Sequence, residues 1–142
     1  MTHIATLIAE AIFVGIYTTI LYAILYILLP TSIIPTIMLY FYLGFYKHLL
    51  AYYIGIHNYY CNNGYACQGP QSKALGDYIL IDSILEGILF IIICTVAMSK
   101  KINPYLNMFM IGILLHLFAE FTQIHAMFCR YRCISTMPQK ST

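Results

Sequence analysis

The sequence predicts an all-α membrane protein with four transmembrane helices, built as two parallel helical-hairpin repeats with pseudo-twofold symmetry. Three observations predict this fold class. Of the 142 residues, 61% are hydrophobic and 8% are charged, whereas soluble domains carry roughly 25% charged residues. Four apolar segments of helix length are separated by turn-forming residues. One stretch of eighteen residues occurs twice.

The repeated stretches are residues 44–61 and 112–129, which match without a gap at an offset of 68. Seven of the eighteen positions are identical, and they include the rare types His and Cys. The identical pairs are Gly44 and Gly112, His48 and His116, Leu49 and Leu117, Ala51 and Ala119, Ile56 and Ile124, His57 and His125, and Cys61 and Cys129. We interpret this match as an internal duplication.

The first helices of the two repeats match more weakly, around Glu10 and Glu86, at an offset of 76. Two helices per repeat return the chain to its starting side, so the two copies are parallel. We therefore predict repeat 1 over about 4–61 and repeat 2 over about 78–129, within a single membrane domain over 1–142.

Two rules give the predicted elements. A helix needs about twenty apolar residues to cross a bilayer, and prolines stop helices. In order the elements are helix 1 (4–29), a proline turn (30–35), helix 2 (36–57), a loop rich in Asn and Gly (58–77), helix 3 (78–98), a turn (99–104), helix 4 (105–128) and a polar tail (130–142). Helix 1 lacks the basic region and the cleavage site of a signal peptide, so we expect it to be retained.

Four spans would place both termini and the 58–77 loop on one side of the membrane. That side carries four basic residues against two on the side of the turns, which favours a cytoplasmic orientation by a small margin. These residues are Lys73, Arg130, Arg132 and Lys140 on the terminal side, and Lys100 and Lys101 on the other.

Seven ionisable side chains lie inside the predicted helices and form a predicted polar layer: Glu10, Lys47, His48, Asp82, Glu86, His116 and Glu120. Each costs roughly 2.5–3.5 kcal/mol at mid-bilayer, so they should face one another rather than lipid, with Lys47 near one acid. The layer is consistent with a structural lock, with a proton or ion path, or with a metal or haem site. For the metal or haem site the candidates are His48, His116, Glu10 and Glu86.

The second histidine of each repeat needs its own interpretation. His48 and His57 are nine residues apart, which puts them on opposite sides of a continuous helix. This spacing argues against a two-haem arrangement. At the predicted helix ends, His57 and His125 would cap carbonyls and meet the helix dipole favourably.

Four of the five cysteines fall on the terminal side: Cys61, Cys67, Cys129 and Cys133. Their spacings differ from the CxxC knuckles of zinc sites. Disulfides, a zinc site and free thiols all remain open. We favour disulfides that tie Cys61 and Cys67 in the loop to Cys129 and Cys133 at the end of helix 4, because a mobile loop can bring Cα atoms within the roughly 7 Å that a bond requires.

Several function classes lack support. A net charge of +2 is too small to indicate a nucleic-acid partner. The sequence also contains no Ser-His-Asp grouping, nucleotide-binding loop or HExxH motif, so it does not indicate an enzyme of those classes. A non-enzymatic role without a cofactor is therefore the primary expectation. Self-association into a homo-oligomer is compatible with the composition.

Two segments, His48 through Tyr59-Tyr60-Cys61 and His116-x3-Glu120 through Phe128-Cys129, resemble small multi-span membrane proteins of giant DNA viruses. The resemblance implies a structural protein of a virion internal membrane, of the minor capsid kind, that anchors membrane or capsid proteins through the 58–77 loop and the C-terminal tail. It also implies that disulfides can form on a cytosol-facing segment, because some such viruses encode thiol oxidases.

Overall fold

The computed structural model describes residues 2–29, 32, 34–67, 72–98 and 101–135, and for residues 2, 3 and 135 only the backbone. The loop residues 68–71, parts of both predicted turns (30, 31, 33, 99 and 100) and the end of the predicted tail (136–142) lie outside the described residues. The described elements are α1 (Thr2–Leu28), α2 (Thr36–Tyr53), α3 (Ile56–Asn63), β1 (Ser72–Ala74), α4 (Ile79–Ala97), α5 (Pro104–Phe121), α6 (Ile124–Arg132) and β2 (Cys133–Ser135). The all-α prediction is confirmed, with one small sheet added.

Three helices are long and apolar enough to cross a membrane in the described part of the chain: Ile4–Leu28 within α1, then Ile79–Ala97 and Pro104–Phe121. Large apolar side chains on these helices point outward, such as Ile27, Val96 and Phe118. Such a surface indicates a membrane protein, because soluble proteins rarely expose large contiguous apolar patches. The fourth predicted span, α2, is polar enough to fall outside this group, since its eighteen residues include five tyrosines, Lys47 and His48.

The long helices pack across the predicted repeats rather than within them. The most extensive contacts are those of α2 with α4 and of α1 with α5, while α4 and α5 barely touch. Leu39 and Leu43 of α2 are fully buried beside Phe90 and Cys94 of α4 in the main apolar core. The first helix of each hairpin therefore finds its main partner in the second helix of the other hairpin.

Glycines set the closest approaches between these paired helices. A Cβ on Gly44 would lie 2.5 Å from the carbonyl oxygen of Glu86, and one on Gly87 would lie 2.8 Å from the ring of Phe41. In the other pair, a Cβ on Gly15 would lie 2.9 Å from Phe109. Small residues allow such contacts between helices in lipid.

This packing corrects the register expected for helices 1 and 3. Phe41 and Phe109 are 68 residues apart, but the glycines that they contact, Gly87 and Gly15, are 72 apart. The sequence match around Glu10 and Glu86, at an offset of 76, is therefore displaced by one helical turn from the packing. The glycine contacts set the register of the paired helices, because the backbone atoms are too close for one helix to slide along the other.

Helix 2 and helix 4 were expected to continue to His57 and Phe128, and both are interrupted. The breaks fall at residues 54–55 and 122–123, again 68 apart. Gly55 has a φ of 87° and Gln123 a φ of 63°, a left-handed conformation that ends helical hydrogen bonding and redirects the chain. Gly55 adopts it without steric cost because it has no Cβ.

The predicted 58–77 loop contains most of helix α3 and strand β1, and the predicted polar tail contains β2. Strand β1 pairs antiparallel with β2, with Lys73 opposite Ile134. Asparagines that indicated turns instead hold β1 against α3. The Asn58 and Asn62 side chains each accept a 2.8 Å hydrogen bond, from the backbone N–H groups of Ala74 and Ser72 respectively.

Candidate functional site

The described structure brings the two loop cysteines, Cys61 and Cys67, to the two cysteines at the end of the predicted helix 4. Cys61 is paired with Cys133 at a Cα–Cα distance of 5.7 Å, and Cys67 with Cys129 at 5.1 Å. This confirms the predicted arrangement, in which the loop is tied to the end of helix 4. The chain beyond the helix breaks, residues 56–67, 72–78 and 124–135, thus forms one unit that we name the cap. Cys94 is free and buried in the helix core.

The first histidine cluster comprises Lys47, His48, His57 and Glu86. Glu86 of α4 accepts from Lys47 Nζ at 2.5 Å through one oxygen and lies 2.7 Å from His48 Nδ1 through the other. Both oxygens of this carboxylate therefore have basic partners on α2. The side chains are 15–19% exposed, so a lysine and a glutamate neutralise each other within the protein.

The His57 ring packs edge-on against His48 rather than capping the helix, with ring centroids 4.5 Å apart. The left-handed residue Gly55 explains this correction. A spacing of nine residues separates two side chains by half a turn in a continuous helix, but the break turns α3 so that His57 faces back. Burial, and then the neighbouring His48, lower the pKa of His57 to about 3, so its ring is neutral at pH 7.

The second histidine cluster comprises Glu10, His116, Glu120 and His125. His125 Nδ1 lies 2.6 Å from Glu120 Oε1, and His116 Nε2 lies 3.3 Å from Glu10 Oε2 and 3.9 Å from Glu120 Oε1. The rings of His116 and His125 are 4.8 Å apart. Like His57, His125 follows a left-handed residue and turns back onto the preceding helix.

Tyr60 of the cap extends the second cluster. Its hydroxyl donates to Glu120 Oε1, and its ring lies 5.1 Å from that of His125. Burial, and then the hydrogen bond to Glu120, raise the pKa of the Tyr60 phenol well above its ordinary value. The phenol therefore stays protonated and keeps donating.

Asp82, the remaining member of the predicted polar layer, joins neither cluster. It accepts two hydrogen bonds from the Arg132 guanidinium, at 2.7 and 2.9 Å, and this interaction raises the pKa of Arg132. The guanidinium also lies 4.3 Å from the ring of Tyr78. This pair connects α4 to α6 and so fixes the cap on the helices.

A cavity of about 600 Å³ lies between the paired helices, and all four histidines of the two clusters line it. Apolar side chains such as Phe13, Leu89 and Phe118 form much of its wall. The predicted layer is thus divided into two clusters, whose histidines line one cavity, and the separate Asp82–Arg132 pair. The structure pairs His48 with Glu86 and His116 with Glu10, and it does not assign a haem or an ion path.

Sequence reasoning missed the roles of Tyr60 and Arg132. It also missed the inward turn of His57 and His125. The identities of His57 and His125 within the repeat signalled their importance. The direction of these side chains depends on the left-handed backbone conformation of Gly55 and Gln123. A glycine suggests that conformation, whereas a glutamine does not. No family model, curated protein or solved structure matches the chain, so the geometry of these clusters and of the cap supports the proposals below.

Proposed function

We propose that the chain is a structural integral membrane protein that anchors partner proteins to a membrane through the cap. The observation that carries this proposal is the construction of the cap. Two disulfides, a two-stranded sheet and the Asp82–Arg132 pair hold it rigidly at one end of an apolar helical bundle. A binding surface that is already ordered before the partner arrives lowers the entropic cost of binding.

The surface of the cap supports a role in protein binding. It exposes aromatic and apolar side chains, namely Tyr59 (67% exposed), Met127 (59%) and Tyr131 (57%), as well as the basic side chains of Lys73 and Arg130. Tyrosine, methionine and arginine are enriched at protein–protein interfaces. The partners that we propose are membrane or capsid proteins of a virion internal membrane, in line with the viral resemblance of segments 48–61 and 116–129.

A duplicated, four-span architecture fits this role. The bounds of α2 and α5 differ by 68 at both ends, and both helices end in a left-handed break. Helix α2 rises about 27 Å over eighteen residues and packs along the apolar helix α4. In this proposal α2 crosses the membrane beside α4, which shields Lys47 and His48 from lipid. The cap and both termini then share one side.

Photo-crosslinking tests the anchoring role. A photoreactive amino acid placed at Tyr59 in the cap should yield adducts with a second protein in the cells that make this chain. The matched probe at Val96, which is 83% exposed on α4, should react with lipid. The adducts at Tyr59 should decrease strongly in the Cys61→Ser, Cys133→Ser double variant, because the cap then loses one of its two disulfides and is held less rigidly. Adducts at Tyr59 with lipid alone, or with further copies of this chain alone, would contradict the proposal.

A further inference from the structure

The two histidine clusters differ in charge although they occupy equivalent positions. The first contains one carboxylate, Glu86, and one lysine, so its fixed charges cancel. The second contains two carboxylates, Glu10 and Glu120, and the basic side chains that the described structure places within 4.0 Å of them are histidines. With neutral histidines this cluster carries a charge of −2.

The sequence repeat shows how this difference arises. At the offset of 68, Lys47 of the first cluster corresponds to Leu115, and Tyr52 corresponds to Glu120. Compared with the first stretch, the second therefore has one cation fewer and one anion more. Buried charges are normally paired or bound to metals, because leaving them uncompensated is costly.

The donor atoms of the second cluster already converge. One ligand atom each from His116, Glu120 and His125 lie within 4.8 Å of one another, and Glu10 Oε2 lies 3.3 Å from His116 Nε2. His116 Nε2 and Glu10 Oε2 are buried and make no hydrogen bond in the described structure, although they face each other. The His116 side chain is only 4% exposed. A buried imidazole nitrogen and carboxylate oxygen that face each other at 3.3 Å without a hydrogen bond are positioned to act as ligands of one ion.

We propose that Glu10, His116, Glu120 and His125 bind one divalent transition-metal ion of the Zn²⁺ or Fe²⁺ class. Two imidazoles and two carboxylates suit these ions, and a charge of +2 neutralises the cluster. The donors of a tetrahedral zinc site lie about 3.4 Å apart, given bonds of about 2.1 Å, so modest side-chain rotations complete the site. On binding, the ion would take the place of the hydrogen bond between His125 Nδ1 and Glu120 Oε1, with the ring proton of His125 moving to Nε2. The Tyr60 hydroxyl would then orient Glu120 from outside the ligand set.

Such an ion would connect three elements, since Glu10 lies on α1, His116 and Glu120 lie on α5, and His125 lies on α6 in the cap. The first cluster provides the contrast. Its single carboxylate has both oxygens engaged by Lys47 and His48, and although His48 Nε2 is also unpartnered, Lys47 repels a cation. The site is therefore specific to the second repeat.

Metal titration of the purified full chain in detergent, without reductant and after chelator treatment, tests this proposal. Zn²⁺ measured by calorimetry, and Co²⁺ as an absorbing substitute, should each bind at one ion per chain. Glu120→Gln and His125→Asn should each weaken binding tenfold or more. The matched variants of the first cluster, His48→Asn and His57→Asn, should bind as the unmodified chain does.

Folding of each variant is checked independently by its helical circular dichroism and by its two disulfides in non-reducing mass mapping. The proposal is overturned if no ion binds at one equivalent, or if binding survives both second-cluster substitutions in folded protein. It is also overturned if binding appears only after reduction, since the ligands would then be the cap cysteines. Equal losses in the His48→Asn and Glu120→Gln variants would place the site elsewhere in the cavity.

Discussion

Lys47 and Leu115 stand at the same position of the two repeated stretches, 68 residues apart, and this is one of the two differences, with Tyr52 and Glu120, that separate the charges of the two clusters. In the first cluster, Lys47 and Glu86 form a largely buried ion pair that also holds His48. Charges in such pairs are stabilised mainly by each other, because the surrounding helices offer little solvation.

Removing one member of this pair should therefore cost more than removing both. We expect Glu86→Leu to lower the free energy of unfolding by about 3 kcal/mol, because it leaves Lys47 uncompensated and His48 without its acceptor. The Lys47→Leu, Glu86→Leu double variant should recover at least about 1 kcal/mol relative to the sum of the single changes. Unfolding by SDS in mixed micelles measures all four proteins. Strict additivity would show that the two side chains do not interact.

At the scale of elements, the molecule is held by close helix pairs whose register depends on glycine. Gly44 on α2 contacts the backbone of α4 at Glu86, while its repeat equivalent Gly112 on α5 approaches Gly15 and Thr18 on α1. A backbone atom cannot rotate away as a side chain can, so the pairs α2–α4 and α1–α5 have little freedom to adjust.

Gly44→Ala should therefore destabilise the protein by about 2 kcal/mol, within the usual range for overpacking. The added Cβ would lie 2.5 Å from the Glu86 carbonyl oxygen, and α2 would have to move away from α4. Val96→Ile is the matched control, since it also adds one carbon, but at an outward-facing position of α4. Its free energy of unfolding should change by less than about 0.5 kcal/mol. A neutral Gly44→Ala variant would mean that the two helices pack less closely than described.

At the scale of the whole molecule, the number of membrane crossings decides which surfaces share a side. Three described helices have the length and apolarity of spans, and the disulfides join the loop cysteines to Cys129 and Cys133. Both three and four crossings satisfy these facts. They differ in where the turn after α1 lies relative to the cap.

Cysteine labelling in sealed, oriented vesicles separates these two arrangements. If α2 crosses, Ser32→Cys and Lys73→Cys should react with a membrane-impermeant maleimide from opposite sides. Ile102→Cys, in the turn before α5, should label from the same side as Ser32→Cys. Labelling of Ser32→Cys and Lys73→Cys from the same side would remove the fourth span and the proposed symmetry. The three positions are exposed in the structure, so access alone does not limit the reaction.

The sequence by itself determined the helical class and the membrane character, because these follow from local composition. It also favoured disulfides between the loop and the end of helix 4, because a loop can reach that far, but only the structure pairs Cys61 with Cys133 and Cys67 with Cys129. It also indicated which polar residues would avoid lipid, and the structure places Lys47, His48 and Glu86 together. It did not determine that α3 and the two strands would form within the cap, because their hydrogen bonds come from distant segments.

The division of the polar layer was decided only by tertiary structure. Which acid meets which histidine depends on α2 pairing with α4 and α1 with α5, and helices that are all apolar on their outer faces carry no local signal for that choice. The inward turn of His57 and His125 depends on two left-handed residues, one of them Gln123, whose side chain does not predict that conformation. The sequence thus supplies the polar side chains, whereas the packing of distant helices and two broken helix ends brings them together.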